Sequence, residues 1–371
     1  PRPNPAPAAS QWNRTLIVEA AMATPENRLR VALIFGGRSG EHDVSVVSAR
    51  SVASALDHQR YEIIPMAIAR SGLWAEPQTA ARVLAESGDR TDQVGGFEGR
   101  NRLDDRLVRE DIDVAFPVLH GPFGEDGTIQ GLFEILDLAY VGCDPAASAV
   151  CMDKALTKRL LVHAGIDTPE WVELSRTTWA ERSTEISSRC LDRGLPRFVN
   201  PARLGSSVGI SRVVEPAGLG PAVDAGLVHG HRVVVERGVD AREIEVAVVG
   251  NERPRASVPG EVVPGHDFYD YEDKYLDDSC TLLAPAPLDA DEQRAAQDLA
   301  LRVYGVLGCA GMARVDLFLH RRSGAFSVNE VNTIPGFTSI SMYPKLWELT
   351  GLGYSDLLDE LIRLAVGRQR N

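Results

Sequence analysis

The side chains best suited to chemistry lie in two short segments near the C-terminus. Residues 313–319 and 327–333 alternate polar and apolar side chains, which predicts two strands joined by a polar hairpin turn. Because side chains alternate between the two faces of a strand, Glu330 and Asn332 share one face. Antiparallel pairing can bring Asp316 onto that face as well.

This set of two carboxylates and one amide is typical of a magnesium site, since Mg²⁺ prefers hard oxygen ligands and completes its shell with water and phosphates. Arg314 lies beside the set. A cation together with an arginine favours phosphoryl transfer, because the charge to be stabilised is spread over phosphate oxygens. The alternative is an exposed hairpin with ordinary surface charges.

Polar groups also follow two predicted parallel strands. The apolar run 31–35 is followed by the glycine-rich turn 36–40 and by a helix that begins near Glu41. A second apolar run, 114–119, ends at His120. The carboxyl ends of parallel strands are where open α/β sheets bind ligands, so this edge is a second candidate for a site. The turn matches neither GxGxxG nor Walker A.

Length and composition predict a globular protein of two or three domains. The chain has 371 residues, 44% hydrophobic and 25% charged. Its formal net charge of −13 argues against general affinity for nucleic acid or anionic membranes, and no apolar run reaches membrane-spanning length. Positive charge for phosphates has to be local, which draws attention to Lys154, Arg203, Lys274 and Arg314.

The five cysteines are odd in number and contain no CxxC pair, which favours a reducing cytosol over a disulfide framework or a zinc site. Residues 1–28 are predicted to be a flexible N-terminal extension because their first part is rich in proline and alanine. We interpret Met22 as the natural start, with an ordered N-terminal arm as the alternative. Residues 71–110 are weakly patterned and indicate a variable insertion.

Two loops and two helix starts complete the pattern. The glycine- and serine-rich loop 200–209 lies between predicted strands and is either a flap over a phosphate or a plain hairpin loop. The loop 268–275 is acidic and aromatic. Asp289 and Glu292 have the spacing of a capping box, and Ser355 is the predicted N-cap of the last helix.

Taken together, six segments in this order resemble D-alanine–D-alanine ligases, ATP-grasp enzymes of peptidoglycan precursor synthesis. The resemblance extends over residues 30–366. The segments are FGGRSGEH (35–42), HGPFGEDG (120–127), GSSVG (205–209), YEDKY (271–275), ARVD (313–316) and NEVNTIPGFT (329–338).

The resemblance implies an ATP-grasp fold of three α/β domains. Residues 29–142 would form a Rossmann-like substrate domain and 143–239 a central subdomain that carries the Gly/Ser loop. Residues 240–371 would carry the metal site and an omega-type loop. It further implies two D-alanine substrates, ATP, two Mg²⁺ ions with Mn²⁺ as an alternative, and a homodimer. The cysteines, the charge and the lack of a membrane-spanning run predict a cytoplasmic location with no nucleic-acid or membrane partner.

In this family ATP phosphorylates the carboxylate of one D-alanine, and the amine of a second D-alanine attacks the resulting acyl phosphate. By resemblance, Glu41 binds the first ammonium, and Ser206 and Tyr275 close the site toward it. His120 lies near the first substrate; its alternative is a structural histidine at a strand end. Ser206 has the alternative of an ordinary loop residue.

The remaining roles also follow from the resemblance. Arg314 and the backbone N–H of Gly336 would stabilise the developing oxyanion, and Ser341 would bind the second carboxylate. Asp316, Glu330 and Asn332 would hold the metal. The nucleotide would be bound by Lys154, Asn200, Ser207, Glu236, Arg237, Val239, Glu243, Phe268, Lys274 and Phe318. Glu236 would meet the adenine edge through its carboxylate, and Arg237 and Val239 through their backbone.

Three neighbours of these residues have simpler interpretations. Glu125 and Asp126 are predicted to serve a helix N-terminus rather than the substrate. His42 is either part of the site or only a residue at a helix start.

One position departs from the family pattern. The family has a lysine before the Pro-Ala of the Gly/Ser loop, where this chain has Asn200. Loss of a charged hydrogen bond predicts a roughly ten- to hundredfold loss in nucleotide affinity or rate. Arg203 is no obvious replacement. The main hypothesis is a D-alanyl-D-alanine ligase; the alternatives are a D-serine- or D-lactate-using ligase, and a protein that binds ATP or D-alanine without turnover.

Overall fold

The computed structural model describes residues 28–86, 91, 94–109, 111–192, 194–205, 209–263, 281–338 and 340–369. All but the last residue of the predicted extension 1–28 therefore lies outside the described residues. Within these ranges the strands form three sheets, each packed against helices. None of the described helices is both long enough and apolar enough to cross a membrane.

The first sheet is parallel, and helices cover both of its faces. Its elements are the strands β1 (Leu29–Gly36), β2 (Tyr61–Ile68) and β3 (Val114–Pro117) and the helices α1 (His42–Ala55), α2 (Pro77–Ala85), α3 (Arg106–Arg109) and α4 (Thr128–Ile135). The strand order is β2-β1-β3. Val31, Leu33 and Phe35 face one apolar core, whereas Ala32 and Ile34 face the other. Burial on both faces accounts for the continuous apolar runs in the sequence.

The second sheet is antiparallel, with the strand order β4-β7-β5-β6. Its region contains the strands β4 (Trp171–Ser175), β5 (Arg197–Pro201), β6 (Ser211–Val213) and β7 (Arg232–Arg237) and the helices α5 (Pro145–Met152), α6 (Lys154–His163), α7 (Arg176–Leu191) and α8 (Leu219–Val228). Strands β5 and β6 pair directly, which confirms that the Gly/Ser loop connects two strands.

Asp153 fixes the start of α6 relative to this sheet. Its carboxylate is completely buried and accepts a hydrogen bond from the backbone N–H of Leu156, 3.2 Å away. It also accepts from Arg203 Nε at 2.9 Å and from Arg232. The base of the Gly/Ser loop and the first residue of β7 are therefore tied to the helix that carries Lys154.

The third sheet is antiparallel, with the strand order β11-β10-β8-β12-β13 and β9 paired with β8. Its elements are β8 (Ala241–Gly250), β9 (Arg255–Ala256), β10 (Gly260–Val263), β11 (Thr281–Leu283), β12 (Gly311–His320) and β13 (Phe326–Asn332), with the helices α9 (Ala290–Val306), α10 (Met342–Leu349) and α11 (Tyr354–Gln369). The predicted hairpin is confirmed as β12 and β13, and the predicted capping box of Asp289 and Glu292 opens α9. The predicted N-cap Ser355 is wrong: α11 begins at Tyr354, and the Ser355 hydroxyl donates to the carbonyl of Ala55 at 2.7 Å.

Helix α11 joins the third region to the first. Leu357 and Leu361 are fully buried in the same apolar core as β1. Near the end of the helix, Arg368 donates to the carbonyls of Tyr140 at 3.1 Å and Gly142 at 2.7 Å. Its guanidinium also lies 4.5 Å from the centre of the Tyr140 ring. The first sheet therefore completes its core with residues from the far end of the described chain.

Candidate active site

Strands β12 and β13 place the predicted metal ligands side by side. Asp316 is paired with Glu330, and Arg314 with Asn332, so all four side chains occupy one small area. Asn332 Nδ2 donates to Asp316 Oδ2 at 2.9 Å, and Arg314 donates to both oxygens of Asp316 at 2.7 Å. The predicted cluster of oxygen ligands beside an arginine is therefore present as a geometric unit.

A third carboxylate extends this cluster across the neighbouring strand. Glu245 on β8 is paired with Asp316 and lies 3.3 Å from Arg314 Nε. Glu245 is not predictable from local sequence, because its position beside Asp316 depends on the register with which β8 pairs with β12. Among the described residues, no three His, Cys, Asp or Glu side chains converge closely enough to hold a metal ion by themselves. The donor set, two carboxylates and the Asn332 amide, fits a magnesium ion that keeps water or phosphate ligands.

Lys154 connects this cluster to the second sheet. Lys154 is the first residue of α6. Its ammonium donates to Glu330 Oε2 at 3.1 Å and to the carbonyl of Leu204 at 3.0 Å. Burial alone would lower the pKa of Lys154, but the surrounding carboxylates, Glu330 first and then Glu236 and Glu125, together raise the pKa above its ordinary value. The lysine is therefore a fixed positive charge between the predicted metal ligands and the base of the Gly/Ser loop.

A cavity of about 570 Å³ lies between the second and third sheets. Its walls carry charged and aromatic side chains from both, as expected of a site for a nucleotide. Ten of the predicted site residues line it: Lys154, Asn200, Glu236, Arg237, Val239, Glu243, Arg314, Asp316, Phe318 and Glu330.

Asn200 points toward Glu236 in this cavity. Its Nδ2 donates to Glu236 Oε2 at 2.5 Å, so the residue that departs from the family pattern is engaged with the predicted base-binding carboxylate. The other oxygen of Glu236 lies 2.5 Å from the Lys158 ammonium. No sequence motif singled out Lys158, although its spacing of four residues from Lys154 places both on one face of a helix.

The carboxyl edge of the first sheet contributes a second group. His120 is buried, and its Nδ1 donates to the carbonyl of Ile334 at 3.0 Å, which fixes the tautomer and leaves Nε2 as the acceptor facing Ser48 Oγ at 3.4 Å. Burial lowers the pKa of His120 and favours the neutral imidazole. The charge of Glu41 raises this pKa and that of Arg314 lowers it, so the segments that follow β1 and β3 lie near β12 here.

Glu41 faces the Gly/Ser loop. It is 8% exposed, and a Cβ atom built on Gly205 would lie 3.9 Å from its Oε2. Gly121, at φ +71°, passes closer still, since a Cβ there would lie 3.1 Å from the same oxygen. The close approach requires glycine at 121. The carboxylate thus lies where the first-sheet edge and the loop come together.

Glu125 corrects one sequence prediction. Instead of serving the helix N-terminus, its two oxygens accept hydrogen bonds from the backbone N–H groups of Gly121 at 2.7 Å and Ile334 at 3.1 Å. Burial, reinforced by the charge of Glu41, raises its pKa to about 8. Asp126 does behave as predicted and accepts from the N–H of Thr128 at the start of α4.

The loop after β13 brings Gly336 and Ser341 together. The Ser341 hydroxyl accepts a hydrogen bond from the backbone N–H of Thr338 at 3.0 Å. The same hydroxyl lies 2.8 Å from the side-chain oxygen of Thr338. A Cβ atom at residue 336 would lie only 2.7 Å from Ser341 Oγ, which accounts for glycine at this position. Five predicted site residues lie outside the described residues: Ser206, Ser207, Phe268, Lys274 and Tyr275.

The comparisons with known proteins agree along almost the whole chain. Residues 30–143 match the family described as D-ala D-ala ligase N-terminus, and residues 160–363 match D-ala D-ala ligase C-terminus. Curated D-alanine–D-alanine ligases of Chlorobaculum parvum and a Thermoanaerobacter species are 44% and 45% identical, each over 91% of this chain and at least 96% of their own length.

Solved structures show the same relationship. The D-alanine–D-alanine ligase of Coxiella burnetii superposes with a TM-score of 0.79 at 36% identity, covering 92% of this chain and 95% of its own. A D-Ala:D-Ser ligase of Enterococcus faecalis gives 0.78 at 36% identity, over 91% and 99%. The fold and site therefore define an ATP-grasp enzyme. The chain belongs to the D-alanine–D-alanine ligase family, which confirms the resemblance found in the sequence.

Proposed function

We propose that this chain is an ADP-forming ligase that joins two D-alanine molecules through a C–N bond to make D-alanyl-D-alanine for peptidoglycan. The observation that carries the proposal is the cavity between the second and third sheets, with Lys154, Glu330, Asp316 and Arg314 along one side. Relatives at 44–45% identity bear this activity in their names, which favours it over D-serine or D-lactate ligation.

As a member of this family the enzyme uses ATP and a divalent metal. Asp316, Glu330 and Asn332 would hold two Mg²⁺ ions, with Mn²⁺ as an alternative. When bound, the metal would offset the negative charge of the phosphates. Lys154, whose ammonium already lies 3.1 Å from Glu330, would contact the same phosphates.

The chemistry would proceed in two steps. A carboxylate oxygen of the first D-alanine attacks the γ-phosphorus of ATP, and ADP leaves. The amine nitrogen of the second D-alanine then attacks the carbonyl carbon, loses a proton, and inorganic phosphate leaves as the C–O bond breaks. The acyl phosphate intermediate reacts readily with water, so the site has to exclude water.

The first D-alanine would lie at the carboxyl edge of the first sheet. Glu41 would bind its ammonium as an ion pair, and the neutral imidazole of His120 would lie near the same substrate and hold Ile334 in place through its 3.0 Å hydrogen bond. Ser206 and Tyr275 would close the site over Glu41. Arg314, which donates two hydrogen bonds to Asp316, would stabilise the oxyanion together with the N–H of Gly336.

Ser341 would bind the carboxylate of the second D-alanine. ATP would occupy the cavity, with adenine against Glu236 and the backbone of Arg237 and Val239, ribose against Glu243, and Phe318 or Phe268 on the base. Asn200, Ser207 and Lys274 would complete the nucleotide contacts.

We also propose three domains, at residues 29–142, 143–239 and 240–371, and a cytoplasmic homodimer. The division follows the three sheets, and the location follows the buried free thiols among the described cysteines. Light scattering of the purified chain tests the dimer.

The test of function is phosphate release from Mg-ATP with and without D-alanine, together with mass spectrometry of the product. We expect phosphate release that depends on D-alanine, and D-alanyl-D-alanine as the product. When D-lactate or D-serine competes at equal concentration, D-alanyl-D-alanine should remain the main product over the ester or the mixed dipeptide. The Asn200→Lys variant is assayed in parallel. Release from the variant alone would show a ligase limited at residue 200, whereas silence from both chains would overturn the proposal.

A further inference from the structure

Helix α6 presents two lysines to the nucleotide cavity instead of one. Lys154 and Lys158 are four residues apart and therefore lie on the same face of the helix. Lys154 pairs with Glu330 at 3.1 Å on the phosphate side of the cavity. Lys158 pairs with Glu236 at 2.5 Å, at the end where the purine base would lie. The two ion pairs thus have different positions relative to the nucleotide.

The Lys158 ion pair is buried to an extent that requires an explanation. The Lys158 side chain is 2% exposed and that of Glu236 is 12% exposed. Among the described residues its ammonium has no hydrogen bond with good angular geometry, so the ion pair with Glu236 is its main polar interaction. Burying a charge costs free energy, and pairing it with an opposite charge offsets that cost without adding much to the stability of the fold. The Lys158–Glu236 pair is therefore better explained by a role in the site.

Glu236 is held at both of its oxygens by side chains of the second sheet and of helix α6. Lys158 lies 2.5 Å from Oε1, and Asn200 Nδ2 donates to Oε2 at 2.5 Å. Glu236 is part of the cavity wall. Because Lys158 and Asn200 each restrain one oxygen of Glu236, the remaining lone pairs of the carboxylate point in a fixed direction as hydrogen-bond acceptors. An ionised carboxylate has no proton, so Glu236 cannot act as a donor.

We propose that Lys158 is a positioning residue for the purine base and acts through Glu236. This inference rests on the proposed function, in which ATP occupies the cavity. A fixed carboxylate accepts a hydrogen bond from the 6-amino group of adenine and repels the 6-oxo group of hypoxanthine or guanine. Lys158, assisted by Asn200, therefore sets the preference of the site for a 6-aminopurine over a 6-oxopurine.

The experiment compares wild type with Lys158→Met, which keeps the chain length and removes the charge. Steady-state ligation is measured with ATP and with ITP, and binding of ADP and IDP is measured by calorimetry. Loss of one charged hydrogen-bonding partner predicts a roughly tenfold or larger increase in KM for ATP. The ATP-to-ITP ratio of kcat/KM should fall by a similar factor, while kcat stays within about twofold, because Lys158 does not touch the reacting atoms.

Arg182→Met is the matched control, because Arg182 forms an exposed ion pair with Glu185 in the same region, with side chains 59% and 63% exposed. It should change neither KM nor the base preference. If Lys158→Met does not fold, Lys158→Gln carries the test, since it removes the charge but keeps a polar group beside Glu236. A neutral amide holds the carboxylate less firmly than an ammonium does, so this variant should also lose part of the base preference.

The outcomes separate this inference from the proposed function. A wild-type chain without D-alanine-dependent turnover would overturn the proposed function, and the ADP-to-IDP binding ratio would still test Lys158. An unchanged base preference in folded Lys158→Met, or in Lys158→Gln if only that variant folds, would overturn the inference while leaving the ligase intact. A loss of kcat without a change in base preference would also overturn it, since it would indicate a general structural role.

Discussion

Replacing Glu125 with glutamine tests the contact between the loop after β3 and the loop after β13. Burial and the charge of Glu41 raise the pKa of Glu125 from an ordinary value of 4.5 to about 8. An acid whose pKa is higher in the folded chain stabilises the fold below its unfolded pKa, and this contribution is lost as pH rises through the folded pKa. The wild-type chain should therefore lose stability between pH 4.5 and about 8.

The expected loss of unfolding free energy follows from how far the pKa of Glu125 is raised. Each pH unit corresponds to about 1.4 kcal/mol, so the whole change would be about 5 kcal/mol for a group without solvent contact. Glu125 is only partly buried, and solvent screening reduces the expected loss to roughly 2–3 kcal/mol. Glutamine has one oxygen for the N–H groups of Gly121 and Ile334, so Glu125→Gln should be about 1–2 kcal/mol less stable than wild type near pH 4.5, and its own stability should lack the loss that titration of Glu125 causes in wild type.

The assay is urea unfolding followed by tryptophan fluorescence at several pH values. Between about pH 5 and about pH 8.5, the difference in unfolding free energy should shift by about 2 kcal/mol in favour of Glu125→Gln. The control is Gln130→Met, which loses the 2.7 Å hydrogen bond from Gln130 Nε2 to the carbonyl of Gly124 but removes no titratable group. Parallel pH curves for wild type and Glu125→Gln would refute the reasoning.

Three further predictions concern the site and the fold. Gly336→Ala places a Cβ 2.7 Å from Ser341 Oγ, so kcat/KM should fall by about tenfold or more while circular dichroism stays the same; full activity would contradict the tight packing of this loop. Lys154→Met removes the ammonium beside Glu330 and should raise KM for ATP roughly tenfold or more in an ADP-release assay; an unchanged KM would exclude Lys154 from the nucleotide site. Arg368→Ala removes two hydrogen bonds and a ring contact, and should lower the unfolding free energy by about 1–2 kcal/mol in thermal denaturation, a loss that Arg368→Lys should recover only in part.

The β12–β13 hairpin was predictable because every step depended on local sequence. Strand alternation put Glu330 and Asn332 on one face, and a short polar turn allowed antiparallel pairing. The structure has this arrangement, with Asp316 opposite Glu330. The capping box of Asp289 and Glu292 is equally local, and it too is confirmed.

Contacts between distant segments were not predictable in the same way. Glu125 accepts from an N–H 209 residues away, and no local pattern announces that partner. Glu245 joins the Arg314 cluster only through the register of β8 with β12. Ser355 was a plausible cap by residue type, but α11 starts one residue earlier because its first turn packs on α1.

The packing of α11 on the first sheet bears on how this protein folds while it is being synthesised. Val31 and Leu33 share a core with Leu357, and the hydrogen bond between Ser51 and Tyr354 spans 303 residues. The strands made first therefore leave the ribosome without the helix that covers them, and their apolar face stays exposed until α11 has been made. Exposed apolar surface of this kind promotes aggregation, so we expect nascent chains that end before α11 to engage chaperones through this face.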